Sequence, residues 1–258
     1  MSWYPQFGTG SVAQFPLGRT RKWRAITNRL ENDERVVLAD AAANEIEWEL
    51  RYQELSNAEV ASLTTLFAAA QGGFGAFGFI DPTANLLGAS GDMTQPDWSA
   101  GLLTVTSGAV DPSGTSTAWT LVNGNLAAQA LQQTLGIPSG YTTCFSVCLY
   151  CSTHTTVTLA RDGITRTVTA GPRWTRAYLS GAESGGTGQS VFSVVVPAGQ
   201  TIRVWGPQVE AQPYPSQYKV TAAATGIYEE TYFRNDELTV TSTAPGVSSC
   251  DVMLISRG

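Results

Sequence analysis

The sequence predicts a mainly β protein: an α+β domain with one helix packed on a β-sheet or split barrel, interrupted by an inserted β-sandwich of the jelly-roll kind. Three observations carry this. Residues 46–82 read as strand, helix and strand in direct succession. After Pro82 come eight short β-like runs, separated by Gly, Pro, Ser and Asp, as in many-stranded sandwiches. Charge also thins in this stretch: between 83 and 217 the basic residues are Arg161, Arg166, Arg173, Arg176 and Arg203 alone, and strongly charged strands return only in the tail.

Taken in order, residues 1–18 hold aromatics, Gly and Pro without periodicity and read as an arm that wraps its own domain or a neighbour. Residues 21–30 and 34–40 read as two strands about a polar turn at Glu31–Asp33. Ile46, Trp48, Leu50 and Tyr52 then alternate with Glu47, Glu49, Arg51 and Gln53, the period of a strand with one buried and one wet face. Ser56 and Glu59 form a capping box, each satisfying an amide the first turn leaves open. Val60, Leu63, Leu66, Phe67 and Ala70 follow at helical spacing until Gly72-Gly73. Phe74–Ile80 is the next strand, closed by Asp81-Pro82.

The β-like runs after Pro82 are 102–107, 118–122, 143–151, 157–161, 165–169, 175–180, 190–196 and 201–205. The tail adds alternating strands at 237–241 and 250–254. The economical reading is a discontinuous domain, 1–82 with 218–258, and an insert at 83–217.

Composition excludes several functions. A formal charge of −6 with no Lys/Arg run argues against specific nucleic-acid binding. No stretch approaches the roughly 18 apolar residues of a membrane helix, and Met1–Pro5 lacks the order of a signal peptide. Cys144 and Cys148 lie on one strand face about 13 Å apart, too far to pair, and Cys151 points the other way. The four cysteines read as free thiols of a protein made in a reducing cytoplasm.

The residues that could carry chemistry each have a plainer reading. Gly73-x-Gly75-x-x-Gly78 matches a dinucleotide fingerprint in reversed context, following a helix and entering a strand. Cys148, Cys151 and His154 offer three metal ligands but not a fourth, and from alternating faces. His154, the single histidine, falls in a polar turn. The carboxylates Asp92, Asp97, Asp111, Asp162, Glu183 and Glu210 are those any domain offers. No catalytic residue, cofactor or metal is expected.

Two patterns resemble known families. Tyr4-Pro5-Gln6, Gln14-Phe15-Pro16-Leu17 with Arg19, Asn28-Arg29-Leu30, Trp48-Glu-Leu50-Arg-Tyr52 and Leu55–Glu59 leading to Phe79-Ile80-Asp81-Pro82 resemble phage distal tail proteins. Trp205-Gly-Pro-Gln208-Val-Glu210, followed by Pro213-Tyr-Pro215-Ser216-Gln-Tyr218-Lys-Val-Thr221, is similar to the exit of carbohydrate-binding-module-like jelly rolls in phage virion proteins. The resemblance implies a structural virion protein of the tail tip. Such proteins form a hexameric ring of identical subunits between the tail tube protein and the hub protein of the baseplate, with DNA passing through the lumen. Members often carry an outer sandwich at the C terminus, whereas here it is inserted.

On that reading Glu47 and Glu49, with Arg51, face the lumen or the next subunit, where carboxylates would keep DNA from sticking. The plainer reading is the wet face of an amphipathic strand. Trp98 and Trp174, beside turns, are candidate contacts to a host surface glycan, and Trp119 and Trp205, inside alternating strands, read as core. The alternative function is thus a receptor- or glycan-binding adhesin; a cell-wall hydrolase is a further rival.

Overall fold

The computed structural model describes residues 1–183, 188–223 and 225–257. Among the described residues the protein is mainly β, with one helix and three antiparallel sheets. It divides into two compact units, Met1–Ile80 with Tyr228–Gly258, and Asp81–Ile227.

The first unit opens with β1 (Gly18–Arg29) and β2 (Arg35–Ser56). The stretches 34–40 and 46–53, expected as separate strands, are one continuous strand. The reason is β1, which pairs along it from Arg29–Arg35 to Gly18–Glu49, with a slip between Lys22 and Arg24. Ile46, Trp48, Leu50 and Tyr52 are buried while Glu49 and Arg51 are exposed, as their alternation requires. Toward its tip the β1–β2 hairpin leaves Trp23, Ile26, Leu30, Val37 and Leu38 exposed.

Helix α1 (Asn57–Ala69) starts at the expected cap: Ser56 Oγ accepts from Glu59 N at 3.3 Å, and Glu59 Oε2 accepts from Ser56 N at 2.9 Å. It buries Leu63 and Leu66. Strand β3 (Phe77–Ile80) follows. The N-terminal arm wraps its own unit, with Tyr4 N donating to Gly78 O at 2.8 Å and the Tyr4 and Tyr52 hydroxyls 2.8 Å apart. Gly78 is required here, because a Cβ would lie 2.5 Å from the Trp3 ring.

The second unit contains β4 (Thr104–Ala109), β5 (Ala118–Val122), β6 (Gln129–Leu135), β7 (Thr143–Tyr150) and β8 (Thr155–Arg161). It continues with β9 (Ile164–Ala170), β10 (Thr175–Gly181), β11 (Ser190–Val196) and β12 (Thr201–Glu210). One sheet has the order β10-β7-β12-β5-β4 and the other β6-β11-β8-β9. Their inner faces meet in a core that includes Phe145 and Phe192, with ring centroids 5.9 Å apart. Strand β6 has no counterpart among the expected runs. Its sequence, Gln-Ala-Leu-Gln-Gln-Thr-Leu, favours helix intrinsically, and pairing along its length with β11 overrides that preference.

The chain returns to the first unit with β13 (Ile227–Phe233), β14 (Val240–Ala244) and β15 (Val247–Arg257). Strand β15 pairs with β2 from Val247–Ser56 to Arg257–Glu45, giving the sheet order β1-β2-β15-β13-β3 with β14 on β15. Residues 218–227 belong to the Asp81–Ile227 unit rather than to the tail.

Candidate functional site

Cross-strand neighbours share a sheet face, so the pairing fixes which side chains leave the sandwich core. In the five-stranded sheet Leu121, Ile202, Val204 and Leu149 point inward and are buried. The opposite face carries three successive rows. Arg203 lies opposite Tyr150 and Thr120, Trp205 opposite Cys148, which faces Arg176, and Gln208 opposite Ser146, which faces Tyr178.

The third row is closed by residues 212–219, which cross this face. Gln208 Oε1 accepts from Lys219 N at 2.7 Å, and buried Glu210 accepts from Ser216 N at 2.9 Å and from Gln212 Nε2 at 3.2 Å, with Lys219 Nζ 3.4 Å away. The crossing lays Tyr218 against Trp205, edge to face with centroids 5.0 Å apart, and Tyr214 beside Tyr178. A bulge between Trp205 and Gln208 makes room, with Gly206 at φ +62°; a Cβ there would lie 3.1 Å from the Tyr218 ring.

The first two rows stay open. Trp174 and Tyr150 have centroids 5.6 Å apart, the Arg203 guanidinium sits 5.1 Å over the Tyr150 ring, and Trp205 Nε1 donates to Thr117 Oγ1 at 3.0 Å. Trp174, Tyr150, Arg203, Trp205, Arg176 and Tyr218 are all half-buried. One hollow of about 150 Å³ lies by Tyr150, Thr120 and Arg203, and another of about 310 Å³ by Thr117, Trp119, Trp205 and Tyr218. Arg176 Nη2 donates to Ser146 Oγ at 2.8 Å, and its buried Nε has no partner. Burial pushes the Tyr218 hydroxyl and the Cys148 thiol above their ordinary ranges, and Arg176 opposes both shifts. The result is an open strip of aromatic rings holding two guanidinium groups.

Of the expected glycan contacts, Trp174 sits at one end of this strip. Trp98, expected to be exposed beside its turn, is only 8% exposed, and its Nε1 donates to Ala89 O at 3.1 Å. The backbone folds over it because the indole N–H finds a carbonyl there. Trp119 is buried as expected, but Trp205, expected in the core, is on the outer face because its strand neighbours Ile202 and Val204 take the inward positions. The sequence does not single out Tyr150, Arg176 or Arg203 as contacts, and it gives Tyr218 only as part of the exit pattern. The signal that could have found Arg203 and Trp205 is the alternation Ile202-Arg203-Val204-Trp205, which puts both on the face opposite Ile202 and Val204.

Glu47, Glu49 and Arg51 lie on the polar face of β2. Glu47 is not a free carboxylate: it is buried between Lys22 Nζ at 2.5 Å and Arg234 Nη1 at 3.2 Å. Glu49 accepts from Arg51 Nη2 at 2.6 Å. The two acids are therefore neutralised within their own sheet. The glycine triplet at 73–78 joins α1 to β3. His154 is exposed, and among the described residues no three of His, Cys, Asp and Glu cluster as metal ligands. All four cysteines are free and buried. Among the described residues no helix is long and apolar enough to cross a membrane.

No known protein family matches the chain, and no curated protein does. Among solved structures it is similar to the C-terminal family 22 carbohydrate-binding module of Clostridium thermocellum Xyn10B, with 19% identity and TM-score 0.42 over 53% of this chain and 99% of that one. It is also similar to the CBM22-1 xylan-binding domain of Paenibacillus barcinonensis Xyn10C, with 12% identity and TM-score 0.40 over 58% and 99%. A third similarity is to the enzymatically active domain of tailspike protein 4 of bacteriophage CBA120, with 16% identity and TM-score 0.38 over 51% of this chain and 22% of that one.

Proposed function

We propose that the Asp81–Ile227 unit is a glycan-binding module, displayed by a structural protein of a phage tail tip. The observation that carries the binding role is the open strip of Trp174, just before β10, with Tyr150 on β7 and Arg203 and Trp205 on β12. Aromatic faces cover the apolar side of a pyranose, and neighbouring polar groups set its orientation. The test is a glycan array followed by calorimetry on the best ligand. Trp174→Ala and Trp205→Ala should each weaken binding about tenfold, roughly 1.4 kcal/mol, with the melting temperature kept. Full affinity in both variants would remove the site.

The tail-tip ring, a homo-oligomer that joins tube and hub, is supported by the N-terminal sequence pattern and by the β1–β2 hairpin. The hairpin exposes Trp23, Ile26, Leu30, Val37 and Leu38 away from any core of its own unit, and a two-stranded ribbon is marginal alone. Mass measurement of the whole chain should find an oligomer that Trp23→Ser with Leu38→Ser dissociates. A monomer at every concentration would count against the ring.

A further inference from the structure

We propose that this face selects sugars bearing a carboxylate, such as uronic acid units of an acidic polysaccharide, over their neutral counterparts, and that Arg203 and Arg176 make the selection. The inference rests on the glycan-binding reading of the same strip.

The chain as a whole is acidic, with a formal charge of −6, yet the open part of this face carries cations. Arg203 is held by the Tyr150 ring at 5.1 Å, and among the described residues none of its guanidinium N–H groups has a protein acceptor. Arg176 donates once, to Ser146, and its buried Nε is unpartnered. Neither guanidinium is paired with a carboxylate among the described residues. A half-buried guanidinium without a counter-ion retains its desolvation cost until an anion supplies one.

The nearby acids are otherwise engaged or displaced. Glu210 is fully buried under residues 212–219 and receives Lys219. Asp92 accepts from Thr94 and Gln95, and with Asp97 it lines a separate hollow by Ala89 and Thr221. Arg173, exposed beside Trp174, adds to the positive end of the strip.

The planar fork of arginine matches a carboxylate with two parallel hydrogen bonds, which makes it the suited partner for a uronate rather than a neutral hydroxymethyl group. The rings would hold the pyranose while the two arginines read its acid. Tyr150 serves both purposes, since it packs at a tilt against Trp174 and supports Arg203.

The experiment is calorimetric titration of the whole chain with matched oligosaccharide pairs: uronates of the gluco, galacto and manno series, the corresponding neutral hexoses, and a sulfated hexose. At least one uronate should bind about tenfold or more tightly than its neutral counterpart, with affinity falling as salt rises. Arg203→Met with Arg176→Met should abolish the preference, and Arg203→Lys should keep part of it. Trp174→Ala should weaken acidic and neutral ligands alike, and melting curves check each variant's fold. Neutral sugars binding as tightly as uronates, or a preference that survives the double substitution, would overturn the inference and leave the glycan face standing. Equal binding of the sulfated hexose would overturn the selection of carboxylate. Failure of every sugar to bind would overturn the glycan face itself and this inference with it.

Discussion

Arg161 offers the sharpest test of how the sandwich is held. It lies on β8 with 1% exposure, its guanidinium carbon 5.6 Å from the Phe192 centroid. Nη1 donates to Tyr141 O at 2.7 Å and also to Gly181 O, and Nη2 donates to Ser139 O at 2.7 Å. One side chain thereby satisfies three carbonyls that belong to the connection before β7 and the end of β10. Arg161→Met keeps the stem and removes these three hydrogen bonds, leaving Ser139 O with its bond from Glu183 N at 2.9 Å. A hydrogen bond to a charged group is worth ~1.5–3 kcal/mol. The three together, offset in part by no longer burying the cation, come to about 3–5 kcal/mol. At ~2–4 °C per kcal/mol for a unit of this size, the expected fall in its melting temperature is about 6–20 °C. Scanning calorimetry measures this, and hydrogen exchange should show protection lost first in the peptide 137–142. Arg161→Lys should fall between, since a single ammonium replaces a fork. A shift under about 2 °C in the methionine variant would refute the clamp.

Other consequences follow from single contacts. Ser56→Ala removes the cap on Glu59 N and should cost the first unit about 1 kcal/mol in urea unfolding, with the rest of α1 retained. Gly206→Ala meets the Tyr218 ring and a φ of +62°, so it should shift tyrosine and tryptophan fluorescence and weaken any glycan bound to the strip more than it lowers the melting temperature. Burial pushes the Cys144 thiol up to about 12 and the Tyr52 hydroxyl above its ordinary range. The stability such a thiol lends is full below about pH 8.5 and is lost as pH rises toward 12. Melting temperatures measured against pH should therefore decline on the alkaline side. For the same reason Cys144 should resist a thiol reagent at pH 8 until the chain unfolds.

Period and local chemistry determined much of this protein before any tertiary contact. The alternation at Ile46–Gln53 fixed which side chains of β2 are buried, Ser56 and Glu59 fixed where α1 begins, and most of the short runs after Pro82 marked strands because β-branched residues alternate there between turn residues. These signals act within a few residues, so they survive without knowledge of the neighbours. What lies beside a strand does not. Pairing with β1 made one strand of two expected ones, pairing with β11 turned the helix-favouring Gln129–Leu135 into a strand, and Glu47 met Lys22 of β1 and Arg234, just past the end of β13. The strip was decided the same way. Tyr150, Arg203 and Trp174 come from separate parts of the chain, and only the strand order β10-β7-β12 sets them side by side. Sequence spacing gives the face on which a residue lies, and long-range register, settled by burial of the opposite face, gives its neighbours.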